Sequence, residues 1–376
     1  MGGGKTGLEY YRRNAISTGH GVDAEWEKHI ARRRKLYRQL GIPTLAFKGS
    51  HVLEIGPGEG HNALPLLTEW YAAHIDLLEP NETARRELQE KFRRENAPSG
   101  SYTVYPVALE EYQTSKKYDF VIAEGFLQYE ENWRECLSMI ETLTHEDSVV
   151  IVTCTDEISY YVEKMKRAVM QYMVRDVERH EKKIRILAEI MKPQLSMLKG
   201  MSRAVEDWIE DQFFYPMGRE LMTMGKAMEY YRDRFDVLGA SQNIFVDYSW
   251  YKDYEYDYIA SYRRQYDEKK HMFLVAGDDH EVARTAEENK CLEEAVTYAN
   301  MTARKIEEER GNISELEEAV GAVTKSTVNP IIVEFNTELI QIIDKIEKKK
   351  AVDWTKYETY MKCFGKAIQY ISFVKR

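Results

Sequence analysis

An apolar strand that runs directly into a glycine-rich turn is the feature that most constrains the fold of this 376-residue chain. The segment His51–Asn62 reads HVLEIGPGEGHN, with Gly56, Gly58 and Gly60 at alternate positions. Glycine lets a backbone turn sharply and approach a ligand closely, and the start of the following helix favours anionic groups. The segment therefore predicts a strand, a ligand-binding turn and a helix.

Short apolar runs alternate with helical segments between His51 and Thr155, which is the pattern of a parallel sheet with crossover helices. We predict strands in this region at His51–Ile55, His74–Leu78, Tyr102–Val107, Tyr118–Ala123 and Ser148–Thr153. Helices are predicted between them at Asn62–Tyr71, Glu82–Asn96 and Trp133–Leu143. The fold class predicted is α/β, with a doubly wound Rossmann-like sheet, a helical insertion and a C-terminal all-helical region.

The periodicity becomes helical after Asp156 and changes again near Asp233. Later elements are predicted as strands at Phe235–Leu238, Gln242–Tyr248 and His271–Ala276, and as helices at Asp278–Lys325, Ile331–Ile346 and Trp354–Val374. The chain is thereby divided into an N-terminal helical cap at 1–45, a ligand-binding α/β domain at 46–157 and 230–278, a helical insertion at 158–229 and a C-terminal helical region at 279–376.

Composition excludes several classes of protein. With 53 Lys and Arg against 63 Asp and Glu, the net charge of −10 argues against a nucleic-acid partner. The basic run Arg32–Lys35 lies on a helix predicted over Asp23–Leu40, and we interpret it as a solvated face. No apolar run approaches the roughly 20 residues of a membrane span, and the four cysteines show no metal-ligand or disulfide spacing. We expect no metal and a cytoplasmic location.

Glu79 ends the second predicted strand, 23 residues after Gly56. In a doubly wound sheet, a carboxylate at this place reaches the crevice at the carboxyl ends of the strands and accepts both hydroxyls of a ribose. An alternative is that Glu79 only caps the helix that follows.

With these two features, residues 46–157 resemble the class I S-adenosylmethionine-dependent methyltransferases. Leu53–Gly60 looks like the first motif of that family, Pro106–Leu109 lies where the family contacts adenine, and Asp119–Leu127 resembles its fourth strand and the loop beneath the methyl group. The resemblance implies S-adenosyl-L-methionine as cofactor, bound by Tyr11, Glu54, Gly56, Gly58, Gly60, Glu79, Ala108, Leu109, Glu124 and Gly125.

Two departures from the family pattern affect these assignments. Many members carry an acid just before the adenine-contacting residue, where this chain has Val107-Ala108. The loop after the fourth strand also lacks the Asn/Asp-Pro-Pro-Tyr pattern of enzymes that methylate bases, which argues against a nucleobase acceptor.

A later region, from Phe213 to Lys252, looks like bacterial methyltransferases that act on sugars or nucleotide-linked glycan precursors. It contains many aromatic residues, which could equally form a lid over the core. This resemblance implies a small polar molecule or a glycan precursor as methyl acceptor.

Methylation of a hydroxyl requires a group that accepts its proton. The candidates for this base are His20, His61 and Glu124, with Glu130 as a further carboxylate. Segments similar to Tyr10–Asn14 and Gly19–Gly21 fold over the bound cofactor in the family, which points to Tyr11 and His20; the alternative is a terminus without a fixed role.

The predicted function is therefore an S-adenosylmethionine-dependent methyltransferase acting on oxygen, with nitrogen as the second choice. Two alternatives remain: a non-catalytic protein that binds S-adenosylmethionine as a scaffold, and a nicotinamide oxidoreductase, whose G-x-G-x-x-G turn is absent. An apolar stripe between Leu292 and Val323 must be buried, either on the chain's own helical insertion or, as we expect, in a homodimer through the C-terminal helices.

Overall fold

Seven strands form one mixed sheet in the structure, a computed structural model that describes residues 26–196, 204–218, 220–246, 248–253, 258–278 and 282–376. They lie across the sheet in the order β3-β2-β1-β4-β5-β7-β6. In chain order the strands are β1 (His51–Ile55), β2 (His74–Leu78), β3 (Tyr102–Tyr105), β4 (Tyr118–Ala123), β5 (Thr144–Cys154), β6 (Phe235–Ser241) and β7 (Gln369–Lys375).

The direction of the strands places several of their carboxyl ends at one edge of the sheet. β1 to β5 run parallel, whereas β7 is antiparallel to both of its neighbours, β5 and β6. Because β7 reverses the direction and β6 reverses it again, β6 is parallel to the first five strands. The segments that follow β1, β4 and β6 therefore leave the sheet at the same edge.

Some of the helices begin at a side chain that caps their first N–H groups. Asn81 accepts from Thr83 N, and Thr285 forms a capping box with Glu288. The α-helices are α1 (Trp26–Gln39), α2 (Leu64–Thr68), α3 (Glu82–Arg94), α4 (Trp133–Thr142), α5 (Tyr161–Met173), α6 (His180–Leu195), α7 (Val205–Ile209), α8 (Met224–Tyr231), α9 (Tyr258–Lys269), α10 (Ala286–Glu307), α11 (Glu315–Ser326), α12 (Pro330–Glu347) and α13 (Glu358–Lys362).

Contacts among Cα atoms divide the chain into two compact units. The sheet unit comprises the described residues of 1–155, 216–265 and 368–376, and the helical unit those of 156–215 and 266–367. In the sheet unit, α1 packs into a core with the inner faces of the strands, through buried residues such as Tyr37, Phe47, Val52 and Ile122. The helical insertion and the C-terminal helices share the single apolar core of the helical unit.

The α/β fold class with a Rossmann-like sheet is confirmed, and β1, β2 and β4 have the predicted bounds. The buried runs of these strands, with burial on both faces over most of their length, are what a parallel sheet covered by helices requires. No helix in the part of the chain that the structure describes is long and apolar enough to cross a membrane.

Three element predictions were wrong. The helix expected over Trp354–Val374 is instead a short turn, α13 and the strand β7, because Ile371 and Phe373 are buried in the sheet. The strand expected at His271–Ala276 is instead a 3-10 turn, Lys270–Phe273, and Leu274 and Val275, which follow it, enter the helical core. The described residues of Gln242–Tyr248 form no strand, and Tyr248 is exposed.

The apolar stripe of the C-terminal helices is buried within the single chain. α10 and α11 pack on each other, and α10 packs on α5 of the helical insertion. Residues of the stripe that reach the helical core are Leu292, Val296, Ala299, Ile306, Ile313, Leu316, Ala319, Val320 and Val323. A homodimer through these helices stays a prediction, but the stripe no longer supports it.

Candidate functional site

The turn between β1 and α2 has the backbone that its glycines predict. Gly56, Gly58 and Gly60 have φ angles of 69°, 56° and 77°, in the left-handed region that strains other residues. At Gly60 a Cβ atom would lie 2.7 Å from the ring of Phe92, so this glycine also lets α3 pack closely against the turn. The turn is thereby fixed in a form that only glycine adopts without strain.

Glu79 lies at the end of β2 and faces this turn. One of its carboxylate oxygens accepts from Gly58 N at 2.9 Å, and the other accepts from Asn81 N at 2.8 Å. The N-cap of α3 is Asn81, whose side chain accepts from Thr83 N. Capping of this helix alone therefore does not explain why a carboxylate stands at Glu79. The structure thus brings together the turn and the predicted ribose-binding carboxylate.

A buried ion pair closes the site from the other side. Arg33 of α1 donates to both carboxylate oxygens of Glu124, at 2.8 and 2.6 Å, and the two side chains are only 6% and 7% exposed. Arg33 also donates to the hydroxyl of Tyr37, and Asn62 donates to Glu124 at 3.2 Å. Burial opposes the positive charge, but the facing Glu124 raises the pKa of Arg33 above its ordinary value.

Arg33 corrects the interpretation of the basic run. Arg32, Arg34 and Lys35 are exposed as expected for a solvated face, whereas Arg33 is buried. The sequence held a signal for this: Ile30, Arg33 and Tyr37 are spaced by three and four residues, so Arg33 falls on the buried face of the helix. A charged residue on an apolar helix face requires a partner, and that partner could have been sought at the site.

Glu54, the fourth residue of β1, is the acid that precedes the first glycine. Its side chain is buried, and its Oε2 has no hydrogen-bond partner among the described residues. The pKa of Glu54 is raised to about 8, first by burial and then by the nearby Glu124, while Arg33 opposes the shift. A buried carboxyl without a partner is costly, which marks this position as one where a ligand can bind.

His61 is held by charged neighbours. Its Nε2 contacts the ammonium of Lys91 from α3, its Nδ1 lies 3.7 Å from Glu59, and its carbonyl faces His29 Nε2 at 3.1 Å. Glu124 has both oxygens engaged by Arg33. Either residue would have to give up these contacts before it could accept a proton, so neither is prepared to act as a base in this arrangement.

The remaining predicted cofactor contacts lie in loops after β3 and β4. Ala108 N donates to Glu111 at 3.0 Å, and Leu109 is buried. Gly125 follows Glu124 with a φ of 86°, and its N–H donates to Thr153 at 2.8 Å. Tyr11 and His20 lie outside the described residues.

These residues fit the cofactor that the resemblance implies. The glycine backbone can come close to a ligand, Glu79 can accept from ribose hydroxyls, and the Glu54 carboxyl can receive a positively charged amino group. Among the described residues, no group of three or more His, Cys, Asp or Glu side chains is arranged to hold a metal ion.

Comparison with known proteins finds a match that includes β1 to β5 and the glycine turn. A family model described as a methyltransferase domain matches residues 21–192. A search of curated proteins finds no match.

Solved structures also resemble the chain. PKMT2 from Rickettsia typhi, in complex with AdoHcy, has 12% identity and a TM-score of 0.45, over 88% of this chain and 74% of that one. A proposed sarcosine dimethylglycine methyltransferase from Galdieria sulphuraria has 10% identity and a TM-score of 0.36, over 94% and 84%. A proposed S-adenosylmethionine-dependent methyltransferase from Listeria monocytogenes has 16% identity and a TM-score of 0.29, over 35% and 55%, so the chain spans about half of that protein's length. Values this low indicate nothing about what this chain acts on.

Proposed function

We propose that this chain is a class I S-adenosylmethionine-dependent methyltransferase, which its match to a methyltransferase-domain model over residues 21–192 supports, and that it transfers a methyl group to an oxygen of a small polar molecule or glycan precursor. Nitrogen is the second choice of acceptor atom. The observation that carries the proposal is the left-handed turn after β1, to whose Gly58 N–H the Glu79 carboxylate is bonded. In this fold that pair of features binds an adenosine-containing cofactor.

The residues of the sheet unit have separate roles in this proposal. Gly56, Gly58 and Gly60 give the ligand access to the backbone, and Glu79 holds the ribose. In this proposal Glu54 and Glu124 would face the amino-acid end of the cofactor, and Ala108, Leu109 and Gly125 would border its adenine and methyl group. When bound, S-adenosylmethionine supplies an electrophilic methyl carbon on a sulfonium, so the chain needs only to orient the acceptor, exclude water and remove a proton.

His20 is the proposed proton acceptor for a hydroxyl substrate. His61 and Glu124 are engaged by charged partners in the structure, which disfavours both as bases. An imidazole has a pKa near physiological pH and can accept a proton without a large shift. Tyr11, ten residues before Gly21, belongs to the same segment, which the family resemblance places over the cofactor.

An exposed aromatic segment after β6 supports a saccharide as acceptor. Tyr248 is 94% exposed, Trp250 58% and Tyr251 64%, and Lys252 lies over both the Trp250 and the Tyr251 rings. Exposed aromatic patches mark binding surfaces, and flat rings suit the apolar C–H faces of sugars. Since β6 ends at the same sheet edge as β1 and β4, the segment that leads to this surface, Tyr248–Lys252, leaves the sheet at the edge that carries the glycine turn.

All four cysteines are free thiols. This supports a reducing compartment, and we propose the cytoplasm as the location.

Two measurements test the proposal. Calorimetric titration with S-adenosylmethionine, S-adenosylhomocysteine and NAD should show binding of the first two and none of NAD. Release of S-adenosylhomocysteine should then be followed with a panel of sugars, nucleotide sugars and amines. Binding without turnover on any acceptor would favour the scaffold alternative, and binding of NAD alone would favour the oxidoreductase.

The acceptor surface has its own test. Replacing Trp250 by Ala should raise KM for a saccharide acceptor and leave the Kd of S-adenosylhomocysteine unchanged. Tyr298→Ala, at an exposed aromatic of α10 in the helical unit, is the matched control and should change neither. An unchanged KM in Trp250→Ala would contradict a role of this surface in acceptor binding.

A further inference from the structure

Arg33, Glu54 and Glu124 are buried side chains that interact electrostatically, because β1, which carries Glu54, pairs with β4, which leads into Glu124. Arg33 is committed to Glu124 by two hydrogen bonds, so this pair is neutral as a whole. Glu54 is the third member, with 3% of its surface exposed and Oε2 unpartnered among the described residues. If Glu54 were ionised, this cluster of three side chains would carry one uncompensated negative charge in a site with little access to water.

An uncompensated charge of this kind is avoided by taking up a proton. The groups that face the cluster do not remove the imbalance. Tyr37 on α1 and Tyr370 on β7 both have a pKa raised by burial, to about 12 for Tyr370, so they stay neutral; Asn62 carries no charge. The pKa of Glu54, about 8, agrees with a carboxyl that is mostly protonated at neutral pH.

We propose that Arg33 is a positioning residue that holds Glu124 and reserves the Glu54 carboxyl for the positively charged amino group of the cofactor, which binds with release of one proton from Glu54. The O–H bond of the carboxyl breaks, its proton passes to the solvent, and the ammonium of the ligand takes its place as the partner of the carboxylate. This inference rests on the proposed function, because it takes S-adenosylmethionine as the ligand.

Proton release can be counted by calorimetry of S-adenosylhomocysteine binding, which has the same amino-acid end and does not react. The titration is done at pH 6.5 in two buffers of different ionisation enthalpy. The difference between the two binding enthalpies, divided by the difference in ionisation enthalpy, should correspond to the release of about one proton per ligand. The Glu54→Gln variant, which keeps the shape of the protonated acid, should release almost none. The Glu79→Gln variant is the matched control: it should bind more weakly and release as many protons as the wild type.

The pH dependence of the affinity for S-adenosylhomocysteine tests the role of Arg33. Between about pH 5.5 and 7.5 the wild-type affinity should rise with pH, by up to about tenfold per unit, because deprotonating Glu54 becomes easier. Measurements end there because the ligand's own amino group begins to lose its proton near pH 8. In Arg33→Met the profile should move to higher pH, since the guanidinium no longer lowers the pKa of Glu54, and Arg33→Lys should move it back toward the wild type.

The outcomes separate this inference from the proposed function. Absence of binding by the wild type would overturn both. Binding without proton release at pH 6.5, or a release that persists in Glu54→Gln, would overturn the inference and leave the methyltransferase assignment intact. If the affinity of Arg33→Lys depends on pH in the same way as that of Arg33→Met, the positive charge at position 33 has no positioning role. The wild-type proton count decides the main claim even where an Arg33 variant fails to fold.

Discussion

Arg33 and Glu124, 91 residues apart in the chain, form a bidentate ion pair that joins α1 to the carboxyl end of β4. The pair places a guanidinium from outside the sheet beside the loop that follows the fourth strand. Because the two side chains are almost fully buried, neither charge can be removed without exposing the other to an apolar environment. Helix α1 therefore contributes a buried charged side chain beside the candidate site.

Removing the Glu79 carboxylate should weaken S-adenosylmethionine binding. In Glu79→Ala we expect a loss of about 1.5 to 3 kcal/mol, the usual range for hydrogen bonds to a charged partner. Calorimetric titration gives the loss, and thermal unfolding shows whether the turn, which donates to Glu79 from Gly58 N, still folds. Wild-type affinity in a folded variant would show that Glu79 does not hold the ribose.

A side chain at Gly58 should abolish cofactor binding. Gly58→Val puts a branched side chain on left-handed backbone, in the space through which the backbone meets the ligand. Gly100→Val is the matched control, because Gly100 has a φ of 77° and nothing within 4 Å of an added Cβ. Both variants carry similar backbone strain, so only the first should lose affinity. Normal binding by folded Gly58→Val would overturn the site as a whole.

His20→Ala should lower turnover on a hydroxyl acceptor by about 10²- to 10⁴-fold, the usual contribution of a general base. Its affinity for S-adenosylhomocysteine should change little. His61→Ala serves as the comparison. Because the His61 ring contacts Lys91 and is not prepared to accept a proton, its removal should lower turnover much less. If the loss falls on His61→Ala instead, the assignment of the base must be reversed.

The helical unit contains a buried charge cluster that should matter for stability. Glu307 of α10 pairs with Lys164 at 2.8 Å and Arg167 at 3.2 Å, both from α5. Glu307→Gln should lower the free energy of unfolding by about 3 to 5 kcal/mol, because two buried cations lose their counter-ion. Glu220→Gln, which breaks an exposed pair with Arg134, should cost no more than about 1 kcal/mol in the same denaturant titration.

Lowering the pH should remove the stabilisation that Glu307 provides through its pairs with Lys164 and Arg167. Burial alone would raise the pKa of Glu307, but Lys164 and Arg167 lower it below its ordinary value. A depressed folded pKa means that the stabilisation is complete above the unfolded pKa, about 4.3, and is lost as the pH falls through the folded value. The difference in stability between wild type and Glu307→Gln should therefore shrink below about pH 4. A difference that does not change with pH would show that Glu307 is not ionised in the folded protein.

The sequence by itself determined the strands β1, β2 and β4, the glycine turn and the acid at the end of β2. These features are local: a buried parallel strand is a continuous apolar run, and a left-handed turn needs glycine within a few residues. For the same reason the family resemblance, which implies the cofactor, could be recognised from one short segment and the position of Glu79.

Only the tertiary structure decided the features that depend on distant partners. Residues 369–375 form β7 because the sheet offers a place between β5 and β6, where no local periodicity favours a strand over a helix. The stripe from Leu292 to Val323 is buried within the chain because α5 lies against it. Arg33 is buried because Glu124, 91 residues away, compensates its charge, and such a pairing appears only when the fold brings both residues to one edge of the sheet.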